Sequence, residues 1–239
     1  MSEPRFPKCV KVSSKPSNFC PGCGHSITLK NLGFVLDELK AATETVFATD
    51  IGCSLLAWDY FDIDTVQTHH GRVTALASGL KRALPKSNII AYMGDGGGYA
   101  IGLQYLIGAV RRDDPMMVIL VNNTVYAMTG GQMAPTTIKG EDTTSSPGGV
   151  FADEEPLQGP ELLATLCHKD AYIARTSVDN QVQLQNYLKK AFATQKSGHF
   201  AFVEVLSYCP TNWKTDAKRT IDFLDHLKQT YRVGVIHGE

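Results

Sequence analysis

The sequence contains no apolar run long enough to cross a bilayer, no run of basic residues and almost no net charge. A transmembrane helix needs about 20 apolar residues in succession, so no membrane partner is expected. With 23 Lys and Arg dispersed among 24 Asp and Glu, the electrostatic footprint of a nucleic-acid binder is missing, and no nucleic acid is expected. The opening stretch MSEPRFPKCVKVSSKPS is polar and broken by proline. It lacks the apolar centre of a secretory signal, and the expected location is cytoplasmic. Disulfides are rare there, so the six cysteines, Cys9, Cys20, Cys23, Cys53, Cys167 and Cys209, are expected as ligands or buried thiols. Repeats and low-complexity tracts are absent as well. A chain of 239 residues with 43% hydrophobic content suits one globular domain of generous size, 1–239.

What is present is alternation. Segments 45–50, 88–95, 116–123 and 199–207 are β-rich apolar runs, and segments 25–40, 72–84, 99–112, 179–195 and 216–231 carry helix-spaced apolar residues. This order predicts an α/β fold, a doubly wound and mostly parallel sheet. Residues 1–17 read as an extended amino-terminal segment and 207–239 as a carboxyl-terminal segment with a candidate cluster ligand and a helix. Segment 129–156, rich in Gly, Pro, Thr and acidic residues, is too long for a passive connection and is expected to be an active-site or interface loop. The unusual residues cluster after strands, in IGCS, GDGGG, NNTVYAMTGGQ and SYCP. In an open parallel sheet the carboxyl edge is where ligands bind, so the four stretches point to one site.

GDGGGY, residues 94–99, is neither a G-x-G-x-x-G fingerprint, because Tyr99 stands at the last glycine, nor a Walker loop, because no Lys-Ser or Lys-Thr follows. A glycine turn before a helix suits phosphate. Asp95 inside that turn would repel phosphate unless a divalent cation lay between them, and Mg²⁺ takes protein oxygens together with substrate phosphates. A second oxygen donor is expected from Asn122-Asn123, after 25 intervening residues, room for one crossover helix and one strand. This G-D-G…N-N pattern resembles the diphosphate-binding domain of thiamine diphosphate enzymes. The resemblance implies that Asp95, Asn123 and the Val125 carbonyl hold Mg²⁺, with Gly94, Gly96 and Gly97 along the diphosphate. It also implies a second, pyrimidine-binding domain, for which this chain has no room. That domain is expected from an obligate α subunit, and no catalytic glutamate is assigned here.

Cys20, Cys23, Cys53 and Cys209 fall where they can converge near the same edge. Four thiolates suit a 4Fe-4S cluster or tetrahedral zinc equally well. A thiamine centre that delivers electrons needs an acceptor nearby, which favours the cluster. The clustered C-x-x-C-x-x-C spacing of ferredoxins is absent. Taken together, CPGCGH, DIGCS, THHGR, GDGGG, NNTVYAMTGGQMAPTT and a late CP resemble the β subunit of 2-oxoacid:ferredoxin oxidoreductases, over roughly residues 18–213. That resemblance assigns Cys20, Cys23, Cys53 and Cys209 to the cluster. It assigns Gly52, Ser54, His70, Gly71, Ala127, Met128 and Thr129 to the cofactor, and makes His70, Met128 and Thr129 catalytic. Cys9 and Cys167 match no motif, Cys167 being expected in the core. His25 is left between capping the next helix and touching the cofactor. His69, His168 and His199 are expected to be structural or exposed.

The activity implied is CoA-dependent oxidative decarboxylation of a 2-oxoacid, with electrons leaving through the cluster to ferredoxin and γ or δ subunits as further partners. Leu56 and Met128 suggest an apolar wall against the substrate side chain, which favours 2-oxoisovalerate over 2-oxoglutarate or pyruvate. Two other readings fit parts of the sequence: a subunit of a non-oxidative thiamine-dependent decarboxylase, and a zinc-stabilised or electron-transfer scaffold.

Overall fold

The structure, a computed structural model, describes residues 6–11, 13 and 17–238. Parts of the expected amino-terminal segment, residues 1–5, 12 and 14–16, lie outside the described residues, as does residue 239.

The chain builds a seven-stranded sheet from β1 (Thr45–Thr49), β2 (Asp64–Gln67), β3 (Asn88–Gly94), β4 (Met117–Asn122), β7 (Tyr172–Ser177), β8 (Ala201–Leu206) and β9 (Gly234–His237). Their spatial order is β2-β1-β3-β4-β8-β7-β9. Every pairing is parallel except that of β9 with β7. A two-stranded antiparallel ribbon, β5 (Val125–Tyr126) with β6 (Gln132–Met133), stands apart at the end of β4.

Helices cover both faces. On one side α1 (Gly24–Glu38), α5 (Gln181–Lys196) and α7 (Ala217–Thr230) pack Leu32, Leu188 and Leu224 into a core with Met117, Ile119 and Val121 of β4. On the other, α2 (Val73–Ala83), α3 (Leu103–Arg111) and α4 (Gly159–Ala164) pack Ala77, Leu106 and Leu163 against Val118 and Leu120 of the same strand. Alternate residues of a strand face opposite sides, so a strand buried on both reads as a continuous apolar run. That is why the central strands stand out in the sequence. The short helix α6 (Pro210–Trp213) follows β8.

Three strands lack that signature. β2 is a short edge strand without a fully buried residue. β9 is partly exposed and antiparallel. β7 is entirely buried but carries Arg175, whose guanidinium pairs with Glu204 of β8 and Glu161 of α4. The helix expected over 99–112 is divided into a π-helical turn at Gly97–Ile101 and then α3. Segment 129–156 is not a free excursion: Thr136, Thr137, Glu141, Thr143 and Ser146 within it are buried. Among the described residues, no helix is long and apolar enough to cross a membrane.

Candidate active site

The carboxyl ends of β1, β3 and β4 open onto a cleft of about 140 Å³. β3 runs into Asp95-Gly96-Gly97, and close approach explains the glycines. A Cβ on Gly96 would lie 2.2 Å from the Tyr126 ring, and one on Gly97 would lie 2.0 Å from Asp50 Oδ2. Backbone therefore lines the floor, followed at once by the π-helical turn, a form often found at functional sites.

Asp95 is only 3% exposed. Its Oδ1 accepts from the Gly96 N–H at 2.9 Å and its Oδ2 from the Thr136 hydroxyl at 2.5 Å. Burial pushes the carboxyl up to about 7, with the two hydrogen bonds opposing. Among the described residues no ion pair neutralises it. Beyond the end of β4, Thr124 takes a left-handed conformation, φ 65°, and the two asparagines separate. Asn122 turns inward, donating to Glu204 at 3.1 Å, while Asn123 lines the cleft with its Oδ1 accepting from Val125 N at 3.3 Å. A carboxylate, a carboxamide oxygen and a backbone carbonyl are the hard donors that Mg²⁺ takes, and the glycine floor is a cradle that any Cβ would fill. The residues fit the cation and a diphosphate.

His70 lines the same cleft, beside Gly97. Its Nδ1 is 2.7 Å from the Ile51 carbonyl, an acceptor only, so Nδ1 carries the proton and Nε2 is the basic atom. Asp50 Oδ2 lies 3.4 Å from the same Nδ1. Burial raises the Asp50 carboxyl to about 6, against the pull of His70 and the Gly71 N–H. Asp50 was not singled out in the sequence. Its signal was an aspartate directly ending a strand, next to the IGCS motif. Thr136, which holds Asp95, was hidden in the long loop.

Most of the expected cofactor residues share this cleft. Gly52 and Cys53 come from the β1 end, Gly94 to Gly97 from the β3 end, and Asn123, Val125, Ala127, Met128 and Thr129 from beyond β4. Ser54 and Gly71 sit behind the wall, bonded to the Asp50 carbonyl and the Asp50 carboxylate. Met128 is 44% exposed at the rim of the cleft. Thr129 pairs with Gln132 at 2.6 Å. Leu56 is a correction: in the 3₁₀ turn Cys53–Ala57 it packs against the core on the α1 side and does not line the cleft. Ile51 does line it. His25 does not cap α1. Its Nδ1 meets the Tyr92 hydroxyl at 2.7 Å, and burial holds its pKa down to about 3, so a neutral imidazole borders the cleft.

The four cysteines assemble beside this edge. The Gly24 N–H donates to the Tyr208 carbonyl at 3.1 Å, which draws the C-x-x-C turn onto the end of β8. Burial pushes the Cys23 thiol up to about 12, and neighbouring Cys209, Cys53 and Cys20 add to it. Burial raises Cys53, which lines the cleft, in the same way, with Cys209, Cys20 and Asp95 adding. Among the described residues no three of these sulfurs lie within 4.8 Å of one another, whereas a zinc tetrahedron with Zn–S near 2.3 Å has sulfur edges of about 3.8 Å. Cys9 lies elsewhere, 3.5 Å from the Gly33 carbonyl, and Cys167 packs at the edge of the core on the α2 side.

Residues 50–205 match the family described as "Thiamine pyrophosphate enzyme, C-terminal TPP binding domain". Ketoisovalerate oxidoreductase subunit VorA of Methanothermobacter marburgensis is 42% identical over 223 residues, covering 90% of this chain and 46% of the relative. The chain thus spans about half the length of VorA. 2-Oxoglutarate synthase subunit KorB of Archaeoglobus fulgidus is 35% identical over 223 residues, covering 93% of this chain and 80% of the relative. Among solved structures, 2-oxoglutarate:ferredoxin oxidoreductase from Magnetococcus marinus, with 2-oxoglutarate, coenzyme A and succinyl-CoA bound, superposes with a TM-score of 0.81 at 26% identity, covering 99% of this chain and 86% of that one. With that coverage and a sheet whose carboxyl edge carries the matching motifs, the chain belongs to the thiamine-pyrophosphate-binding β subunits of the 2-oxoacid:ferredoxin oxidoreductase family.

Proposed function

We propose that this chain is the β subunit of a cytoplasmic enzyme that oxidatively decarboxylates a 2-oxoacid with an apolar, branched side chain, 2-oxoisovalerate as the working example, to its coenzyme A thioester. The observation that carries the reading is the meeting of Asp95, Asn123, His70 and Cys53 on one cleft. Asp95, Asn123 and the Val125 carbonyl would hold Mg²⁺ against the diphosphate, with the Gly94–Gly97 backbone beneath it. Thiamine diphosphate, when bound, supplies the nucleophilic carbon and the electron sink for decarboxylation. His70, its Nδ1 proton held by the Ile51 carbonyl, takes or returns a proton at Nε2. Met128 and Thr129, which line the cleft, would face the substrate. Cys20, Cys23, Cys53 and Cys209 would hold a 4Fe-4S cluster as the exit for electrons to ferredoxin; the convergence of these thiols beside the cleft, with Cys53 lining it, supports this reading. The pyrimidine domain comes from an α subunit, with γ or δ subunits completing the complex.

The substrate class rests on what the cleft lacks. Among the described residues no Lys or Arg lines it, while Ile51 and Met128 do. A second substrate carboxylate would be desolvated there without a cation, a cost of several kcal/mol that an apolar side chain avoids. The higher identity to the ketoisovalerate relative than to the 2-oxoglutarate one supports the same class. The test is kcat/KM for 2-oxoisovalerate, phenylglyoxylate, pyruvate and 2-oxoglutarate on the anaerobically purified complex with ferredoxin as acceptor, with iron, sulfide and zinc measured on the same sample. Preference for 2-oxoisovalerate over 2-oxoglutarate by at least ~10-fold is expected, since one favourable side-chain contact is worth that much. A preference for 2-oxoglutarate would mean that the acid-binding cation comes from another subunit. Stoichiometric zinc without iron would remove the oxidative reading.

A further inference from the structure

At the opposite, amino-terminal edge of the sheet, three turns bring together groups that the cleft chemistry does not use. Asp113 lies between α3 and β4, His168 between α4 and β7, and His199 directly before β8. With β8 six residues long, this edge is about 20 Å from the cleft at 3.3 Å per residue. Asp113 Oδ2 is 2.7 Å from His199 Nδ1 and 3.5 Å from His168 Nδ1, and one ligand atom from each of the three residues lies within 4.8 Å of the others. We propose that Asp113, His168 and His199 form a divalent transition-metal site, suited to Zn²⁺, that clips the amino-terminal turns of β4, β7 and β8 together.

The donor set is two imidazole nitrogens and one carboxylate oxygen, the borderline ligands that Zn²⁺ favours, with a fourth position left for water or another carboxylate. Bond lengths near 2.0–2.1 Å give a tetrahedral edge of about 3.3 Å. The two distances to Asp113 Oδ2, 2.7 and 3.5 Å, bracket that edge. The simpler reading, two histidines donating to one carboxylate, meets an obstacle at His168. There the Asp170 N–H lies 3.4 Å from Nδ1, a long contact that opposes a proton on that nitrogen and leaves its lone pair available to a metal. Nδ1 also lies 3.4 Å from Asp170 Oδ2 as well as near Asp113 Oδ2. Acceptors facing one another call for a cation between them.

The supports around the donors are those of a built site. The other Asp113 oxygen accepts from the Phe200 N–H at 2.8 Å, fixing the carboxylate on β8. His237 of β9 meets the His168 and Lys169 carbonyls at 3.1 and 3.2 Å and holds the turn in place. Such outer contacts orient metal ligands.

The test uses the anaerobically prepared complex, in which the four cysteines are engaged, and the probe is Zn²⁺ in equilibrium dialysis beside thermal unfolding. The wild type is expected to take up one Zn²⁺ per chain more than a His168→Ala/His199→Ala variant and to rise in Tm on zinc addition. Asp113→Asn should weaken that zinc affinity at least ~10-fold, the scale of losing even an outer contact. Because His168 is exposed, His168→Ala alone provides a variant that keeps the fold, and it should lose the zinc-dependent Tm rise while keeping its iron content. Equal zinc uptake by the wild type and the double variant, or no uptake by the wild type, would overturn the assignment.

Discussion

Gly97 shows how little freedom single residues have at the cleft. Its hydrogen faces Asp50 Oδ2 where a Cβ would be 2.0 Å away and 3.5 Å from the His70 ring. Gly97→Ala must displace the Asp50 carboxylate, which receives the Gly71 N–H and stands behind His70. The expected result is loss of thiamine diphosphate retention by at least ~10-fold with cooperative unfolding preserved, measured by cofactor content after gel filtration and by thermal melting. Gly79 is the control. It sits within α2 with open space where its Cβ would be, so Gly79→Ala should stabilise by about 0.5–1 kcal/mol and leave cofactor content unchanged. Asp95 and Asn123 were readable because metal chemistry limits the residue types and the turn limits their spacing. Asp50 was not, because its role rests on a neighbour 20 positions away in the chain, His70.

At the scale of elements, segment 129–156 behaves as a packed strap. Glu141 within it accepts from the Thr124 hydroxyl at 2.5 Å and the Ile138 N–H at 3.1 Å. Burial nonetheless raises its carboxyl from 4.5 to about 8, with the nearby Asp95 charge adding. The native state therefore binds this proton more tightly than the unfolded chain does. Between pH 4.5 and about 8 the native state carries more protons, so stability is greatest at the acidic end and falls as pH rises through the window. Each pH unit of that window is worth about 1.4 kcal/mol for one group. Glu141→Gln keeps an acceptor but removes the titration. Its Tm should match the wild type near pH 5 and exceed it near pH 8. Parallel Tm-against-pH curves for the two proteins would contradict the burial of an ionisable Glu141. The length and composition of the segment announced a functional loop, but not the burial of Thr136 and Glu141, which is set by Tyr231 and by Thr124 beyond the end of β4.

For the molecule as a whole, the joint between β7, β8 and α4 is ionic. Arg175 is fully buried and meets Glu204, itself fully buried, and Glu161. Glu204 also accepts from Asn122 and the Tyr99 hydroxyl, and the Arg175 guanidinium lies 5.2 Å from the Tyr231 ring centroid. Arg175→Met leaves Glu204 charged in the interior and is expected to lower stability by about 3–5 kcal/mol in urea unfolding. A loss under ~1 kcal/mol would mean that the interior tolerates the free carboxylate. This joint explains why β7 escaped sequence reading: an arginine within an apolar strand argues for exposure until its partners, 14 and 29 positions away, are known.

By itself the sequence determined the continuous apolar runs of the central strands, the glycine turn with its aspartate, the asparagine pair and the four cysteines, because each is a local demand of backbone geometry or ligand chemistry. From these the parallel sheet, its ligand-bearing edge and the enzyme family follow. Only the tertiary structure decided that Asn122 turns inward to Glu204, that Leu56 packs into the core while Ile51 lines the site, and that Asp50, Thr136 and the Asp113–His168–His199 group exist as constellations. Those outcomes depend on which distant side chains reach the same point in space, and burial and electrostatic compensation settle them only once the sheet has closed around them.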